Sequence, residues 1–190
     1  MEYTINKLTK EQNTFFNNLN EYLNTKIIFV GSVQRADFFK ESDTDIIIFT
    51  NNETITKYQI INFLKINNDI IKEFIWKLDL TPITISGHKL LYYHPEHKFY
   101  VDISIINESY REYVIKDHLF TINLPTYSIV LLYILKIIYY KLCIMEWSVF
   151  SYLKKKIICT SLGLPESDFK IIGEDKTKRT TTFLQLFYND

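Results

Sequence analysis

Two apolar runs separated by a polar stretch constrain the fold of this 190-residue chain more than any other feature. Residues 26–30 and 45–49 have the length and the β-branched composition of buried strands. Between them the chain passes through Gly31-Ser32 and ends in Asp43-Thr44-Asp45. Because two acids at the start of an apolar strand repel each other, they need a cation nearby. We therefore expect a functional edge of a sheet at this point.

The length and the charge limit the possible functions. A chain of 22.8 kDa is long enough for one sizeable core or for a small catalytic domain with a helical appendage. The formal net charge of zero argues against a protein that binds nucleic acid over its whole surface. Residues 136–156 are locally basic, which fits either an RNA or DNA contact face or a solvated helix flank.

The order of the remaining patterns predicts an α/β fold, with a mixed sheet flanked by helices and a C-terminal helical cap. Helical spacing covers 8–23, after a start signal at Thr9, and 54–66. ITISGHKLLYY and KFYVDISII form a predicted hairpin that turns at HPEH, whereas 69–80 fits a helix or a strand. We also predict helices at 33–40, 128–142 and 147–159, and an edge strand or short helix near the end of the chain. The expected division is a core at 1–107 and a helical region at 108–190 packed on it.

The apolar segment at 127–147 raises the question of a membrane span. Lys136 and Lys141 interrupt it, so a buried helix of a protein without a membrane partner is the better interpretation. The N-terminus lacks the layout of a signal peptide, which leads us to expect a cytoplasmic protein. Cys143 and Cys159 are expected to be buried free thiols, and His118 to lie at the surface.

Gly31-Ser32 and the acids that follow suit phosphate and metal. A strand that ends at Gly-Ser and enters a helix presents backbone N–H groups to an anion, and Ser32 adds a hydroxyl donor. Asp43 and Asp45 are two residues apart and so share a face of the strand, where they could bind a divalent metal. An N-capped turn followed by a polar turn is the alternative, but it leaves the two acids without a compensating cation.

A third acid follows from strand alternation. In KFYVDISII, Val101, Ile103 and Ile105 share one face, which places Asp102 on the other. A solvent-facing strand position is the alternative. His94 and His97 in the HPEH turn have no third ligand nearby in sequence, so we assign no zinc site there.

The stretch GSVQRADFFKESDTDI resembles the signature of the DNA polymerase β-like nucleotidyltransferase superfamily, in particular its minimal nucleotidyltransferases, over about residues 26–105. The resemblance implies that Asp43 and Asp45 hold two Mg²⁺ ions, which Mn²⁺ could replace. It implies that Asp102 joins one ion and helps activate an acceptor hydroxyl. It further implies that a nucleoside triphosphate, with ATP as the first candidate, contacts the remaining matched positions, namely Gly31, Ser32, Arg35 and Ser42.

The resemblance implies transfer of a nucleoside monophosphate from an NTP to an acceptor hydroxyl, with release of pyrophosphate. An RNA 3′ end, a protein side chain and a small molecule stay open as acceptors, as does the oligomeric state. A small family-X-like DNA polymerase is a second candidate, although the chain lacks a convincing Phe-Thr-Gly nucleotide-pocket motif. An inactive binding subunit is a third, and the presence of all three acids argues against it.

Overall fold

The computed structural model describes residues 7–164 and 168–172. It contains a single six-stranded sheet and five α-helices within these ranges. The strands are β1 (Ile27–Phe29), β2 (Thr44–Thr50), β3 (Lys72–Lys77), β4 (Thr84–His94), β5 (Phe99–Asn107) and β6 (Asp168–Ile171). The α-helices are α1 (Lys10–Leu23), α2 (Glu53–Leu64), α3 (Arg111–Ile122), α4 (Thr126–Lys136) and α5 (Trp147–Leu162).

The sheet has the order β1-β2-β5-β4-β3-β6. The pair β2 and β5 is parallel, and every other neighbouring pair is antiparallel. In the parallel pair Asp45 lies directly opposite Asp102. The predicted hairpin is confirmed as β4 and β5, and the predicted mixed α/β fold is confirmed with it.

One face of the sheet packs on α1 and α2 and is mostly apolar. The alternate residues of β5 that the sequence pattern assigned to the core, Val101, Ile103 and Ile105, are fully buried there. Helix α1 begins after Thr9, whose hydroxyl oxygen accepts from the backbone N–H of Gln12 in a capping box. This face positions β2 and β5 firmly, because both strands are anchored by their buried alternate side chains.

The opposite face is only partly apolar. Phe49, Phe74, Ile85 and Ile106 form a smaller core with Val114 of α3. Beside this core the same face carries Asp45 and Asp102, so the site lies on the less tightly filled side of the sheet. The helices that follow β5 close over this side.

The segment between Gly31 and Asp43 differs from the prediction. A helix was expected at 33–40, but the structure has a short 3-10 helix, Gly31–Gln34. It ends because Arg35 is extended, with φ −108° and ψ 162°, and pairs with Asp37 instead of continuing the turn. The remaining residues up to Asp43 form turns.

Helix α4 also differs from the prediction of a buried helix. It continues into a π-helical turn, Ile137–Lys141, and apolar side chains such as Tyr127, Val130 and Ile134 are about half exposed. No single helix in the described part of the chain is long and apolar enough to cross a membrane. The segments Glu108–Ile122 and Thr126–Lys141 reach that length and apolarity only as a pair, and they are bent by 85°.

Three smaller predictions have mixed outcomes. Cys143 is exposed and Cys159 is half-buried, so the prediction that both thiols are buried was wrong. Cys143 follows the π-helical turn, and Cys159 of α5 borders an open cleft. The ambiguous segment at 69–80 contains strand β3, and β6 extends the sheet beyond it. The predicted element at the end of the chain lies outside the described residues, and the division at residue 107 stays a prediction.

Candidate active site

Three carboxylates meet at the parallel pair of strands, β2 and β5. One oxygen from each of Asp43, Asp45 and Asp102 lies within 4.8 Å of the other two. Asp45 and Asp102 come from opposed positions of β2 and β5, whereas Asp43 precedes the first residue of β2. The two acids that were predicted from spacing and the third that was predicted from alternation therefore form one cluster.

The cluster carries more negative charge than its surroundings compensate. Burial, followed by the charges of Asp43 and Asp102, raises the pKa of Asp45 to about 7. Burial also raises the pKa of Asp102, although the nearby charge of Lys89 opposes the rise. A divalent cation would relieve both effects, since it favours the ionised form of each carboxyl group.

Lys89 is the cation that the sequence pattern did not identify. It lies on β4, and its Nζ is 3.0 Å from Oδ2 of Asp102. The charges of Asp102 and Asp45 outweigh the effect of burial and raise the pKa of the Lys89 ammonium group. Its only signal in the sequence is that it lies within the apolar strand ITISGHKLLYY, on the same face as Ile85.

Gly31 brings the backbone close to the acids. Its φ is +69°, and a Cβ atom at this position would lie 2.4 Å from Oδ2 of Asp45. Any other residue would therefore displace Asp45 or shift the chain. Ser32 follows it, is buried, and borders the same cleft. Gly31 was expected to let a phosphate group approach the backbone, and that contact stays a prediction. A 3-10 helix and not an α-helix begins there.

Arg35 and Ser42 have different surroundings. Arg35 borders the cleft, but its guanidinium group is buried and donates to both carboxylate oxygens of Asp37, at 2.8 and 3.1 Å. Ser42 is buried, and its Oγ has no hydrogen-bond partner among the described residues. The nucleotide contact that we expect for each of these two residues stays a prediction.

The cleft that Asp45 and Asp102 border has a volume of about 400 Å³ and extends between the sheet and helices α3 and α5. Its lining also includes Trp76 of β3 and His118 of α3, whose ring centroids are 5.3 Å apart. His118 was expected at the surface. Burial, together with the charge of Lys89, instead lowers the pKa of His118 to about 4, so its imidazole is neutral at pH 7.

The basic residues at 136–156 do not form a single face. Lys136 is buried and pairs with Asp37, and Lys141 pairs with Glu41. Lys154 and Lys155 border the cleft, whereas Lys156 lies 5.7 Å from the ring centre of Tyr152. The two lysines at the cleft could contact a triphosphate or an acceptor.

The donor set fits a divalent metal ion. Mg²⁺ and Mn²⁺ prefer carboxylate oxygens, and three carboxylates converge here. Oδ1 of Asp102 is buried and has no hydrogen-bond partner among the described residues, which leaves a lone pair available to an ion. By contrast, His94 and His97 stack on each other at 4.8 Å and, within the described ranges, join no group of three potential ligands.

The nucleotidyltransferase domain family matches residues 10–119, which include all three acids, Gly31 and Ser32. The match covers more than half of the chain. The chain belongs to the nucleotidyltransferase family. Its divalent metal use is supported by the same match together with the carboxylate cluster.

Several solved structures align with parts of this chain. A cytoplasmic RNA terminal U-transferase is 19% identical, with a TM-score of 0.36, and the alignment covers 63% of this chain and 35% of that one. The structure of the GLD-2/RNP-8 complex is 14% identical, with a TM-score of 0.43, and the alignment covers 85% of this chain and 62% of that one. The Cid1 poly(U) polymerase is 16% identical, with a TM-score of 0.34, and the alignment covers 64% of this chain and 38% of that one. The chain thus spans between about a third and two thirds of these proteins. No curated protein matches it significantly in sequence.

Proposed function

We propose that this nucleotidyltransferase moves a nucleoside monophosphate from an NTP to an acceptor hydroxyl and releases pyrophosphate. The observation that carries the proposal is the convergence of Asp43, Asp45 and Asp102 beside the backbone of Gly31. A phosphate group that approaches Gly31 is within reach of all three carboxylates. Because both partners are anionic, the arrangement requires cations between them.

Asp43, Asp45 and Asp102 would hold two Mg²⁺ or Mn²⁺ ions. When bound, the ions supply charge neutralisation at the triphosphate and lower the pKa of the acceptor hydroxyl. The acceptor oxygen forms a bond to the α-phosphorus, and the bond from that phosphorus to the α,β-bridging oxygen breaks. The proton of the acceptor hydroxyl passes to the carboxylate of Asp102.

The protein side of the cleft supplies donors for the triphosphate. Ser32 adds a hydroxyl group next to Gly31, and Lys154 adds a positive charge from α5. Lys89 holds Asp102 in place at 3.0 Å, so that its free oxygen points away from the salt bridge. We propose that the base occupies the apolar end of the cleft, near Trp76 and the neutral imidazole of His118, since aromatic rings favour stacking with bases.

The acceptor is a hydroxyl group of an RNA 3′ end, a protein or a small molecule, and one assay separates these classes. The purified chain is incubated with each α-labelled NTP, ATP first, and with Mg²⁺ or Mn²⁺. An RNA oligonucleotide, the same RNA with a blocked 3′ end, a DNA primer on a template and a cell extract serve as acceptors.

We expect label to enter at least one acceptor, with equimolar release of pyrophosphate and dependence on the metal ion. Asp45→Asn is the inactive control. Extension of the DNA primer with all four dNTPs would favour the polymerase alternative. Absence of label in every acceptor, from a protein that is folded and binds Mn²⁺, would contradict the proposed function.

A further inference from the structure

The three acids are not held in the same way. Asp45 and Asp102 lie within β2 and β5, whose ladder fixes their backbone. Asp43 precedes β2, at the end of a segment of turns that starts at Arg35. We call residues 35–42 the connecting loop. Because Asp43 lies outside the ladder, the conformation of the connecting loop determines where its carboxylate lies.

The connecting loop is attached to the end of helix α4 through a buried charge. Nζ of Lys136 donates to the backbone carbonyl oxygen of Asp37 at 2.7 Å and lies 3.1 Å from its Oδ2. Asp37 is 0% exposed and Lys136 2%. Arg35, from the loop itself, donates to the same carboxylate. A contact that reaches both the side chain and the backbone of Asp37 constrains the loop more than a surface ion pair would.

Aromatic packing reinforces the attachment. The ring centroid of Phe39 in the connecting loop lies 5.1 Å from that of Tyr133 in α4. It lies 6.2 Å from that of Tyr140, which follows α4. Tyr140 belongs to the π-helical turn that directly follows Lys136. Such turns are often found at functional sites, and this one places Tyr140 and Lys136 against the same loop.

We propose that Lys136 is a positioning residue for nucleotidyl transfer, which holds Asp43 in place through Asp37 and the connecting loop. The C-terminal helices are then part of the catalytic unit and not a separate cover. This inference rests on the proposed function, in which Asp43 binds metal. Lys136 lies in the hydrophobic segment YSIVLLYILK, and nothing in that pattern indicates a role in the active site.

Lys136→Met tests the inference, because Met keeps most of the side-chain volume and leaves Asp37 paired with Arg35. The matched control is Lys141→Met, on the same segment. Lys141 contacts Glu41 of the same loop, but both side chains are exposed, at 54% and 39%, so their pair contributes little. Mn²⁺ binding is measured by electron paramagnetic resonance without NTP, and transfer is measured over a range of Mn²⁺ concentrations.

We expect Lys136→Met to weaken Mn²⁺ binding about tenfold, as is typical when a group that orients a metal ligand is removed. Transfer should recover at high Mn²⁺, which a merely structural defect would not allow. Lys141→Met should stay within about twofold of the wild type. If Lys136→Met does not fold, Lys136→Gln keeps a hydrogen-bond donor in the site and should show the same loss of affinity.

Unchanged Mn²⁺ affinity and transfer in the folded variant would overturn the inference. A loss of transfer that high Mn²⁺ does not restore would also overturn it. Failure of the wild type to bind Mn²⁺ would instead contradict the proposed function, so the two failures are distinguishable.

Discussion

Asp37 and Asp45 are both surrounded by protein, but the charges around them differ in sign. Burial alone would raise the pKa of Asp37, yet the hydrogen bonds and charges of Arg35 and Lys136 hold it below its usual value. Around Asp45 the nearest charges are Asp43 and Asp102, and the pKa rises to about 7. The protein thus neutralises the Asp37 carboxylate with its own cations. It leaves the carboxylates around Asp45 without enough positive charge, so they can bind a cation from solution.

The largest difference between the two sites is expected in catalysis. Asp45→Asn should lower transfer by roughly 10³-fold or more, because it removes a metal ligand that acts on the reacting phosphate. Rates of label transfer at saturating NTP and Mn²⁺ measure the effect. The control is Asp69→Asn, an exposed acid outside the cleft, which should keep wild-type activity. Wild-type turnover of Asp45→Asn would place the site elsewhere.

The next difference is in folding stability. Asp37→Asn should lower the free energy of unfolding by about 3–5 kcal/mol, because Arg35 and Lys136 would remain buried without their anion. Urea unfolding in EDTA at pH 8 measures it. Asp69→Asn again serves as the control, and it should unfold like the wild type. A loss below about 1 kcal/mol would show that the ion pairs of Asp37 with Arg35 and Lys136 do not stabilise the fold.

Asp45→Asn should change the free energy of unfolding in the opposite direction in the same experiment. Without metal, it relieves the repulsion among the three acids and should raise the unfolding free energy by on the order of 1 kcal/mol at pH 8. The gain is limited because the Asn amide is also desolvated. A variant that is less stable than the wild type in EDTA would instead indicate a structural Asp45.

The shifted pKa values of Asp45 and Asp37 predict how folding stability depends on pH. The folded-state pKa of Asp45 lies above its unfolded value of 3.8, so its contribution to stability is fully present below that pH and is lost as the pH rises through about 7. The pKa of Asp37 is lowered, so its contribution is present above 3.8 and is lost as the pH falls below it. Unfolding of wild type and Asp45→Asn in EDTA between pH 4 and pH 8 measures the first effect. A slope that is equal in both proteins would contradict it.

The smallest effect concerns the lysines at the cleft. Lys154→Ala should weaken NTP binding by about three- to tenfold, and more at low salt, because it removes one positive charge near the triphosphate. Lys156→Ala is the control from the same helix, since Lys156 does not border the cleft and lies over Tyr152. Equal NTP affinities of the two variants, measured by equilibrium titration, would remove Lys154 from the site.

The three acids of the site could be predicted from the sequence, but the other residues around them, Lys89 and His118, could not. The spacing of Asp43 and Asp45 and the strand alternation around Asp102 follow from local geometry, so all three could be placed on one surface in advance. Lys89 and His118 reach the cleft only through the pairing of β4 and the docking of α3. Those are tertiary contacts, which no local pattern encodes.

The connecting loop shows the same limit. A helix was predicted at 33–40 from local spacing, but the ion pair of Arg35 with Asp37 and the contact with Lys136 favour an extended chain. Lys136 itself was grouped with the lysines of an RNA or DNA contact face or a solvated helix flank, because its partner is 99 residues away in the chain. The exposed apolar side of α4 was missed for the converse reason, since an apolar sequence does not say how much of a helix is covered.

The central claim is that Asp43, Asp45 and Asp102 form a divalent metal site, and direct Mn²⁺ titration of wild type, Asp45→Asn and Asp69→Asn tests it. Electron paramagnetic resonance at pH 8 gives the free and bound ion without a catalytic assay. The account predicts saturable binding to wild type and Asp69→Asn, and loss of at least one ion from Asp45→Asn. Equal binding to all three proteins, or no binding to the folded wild type, would contradict it.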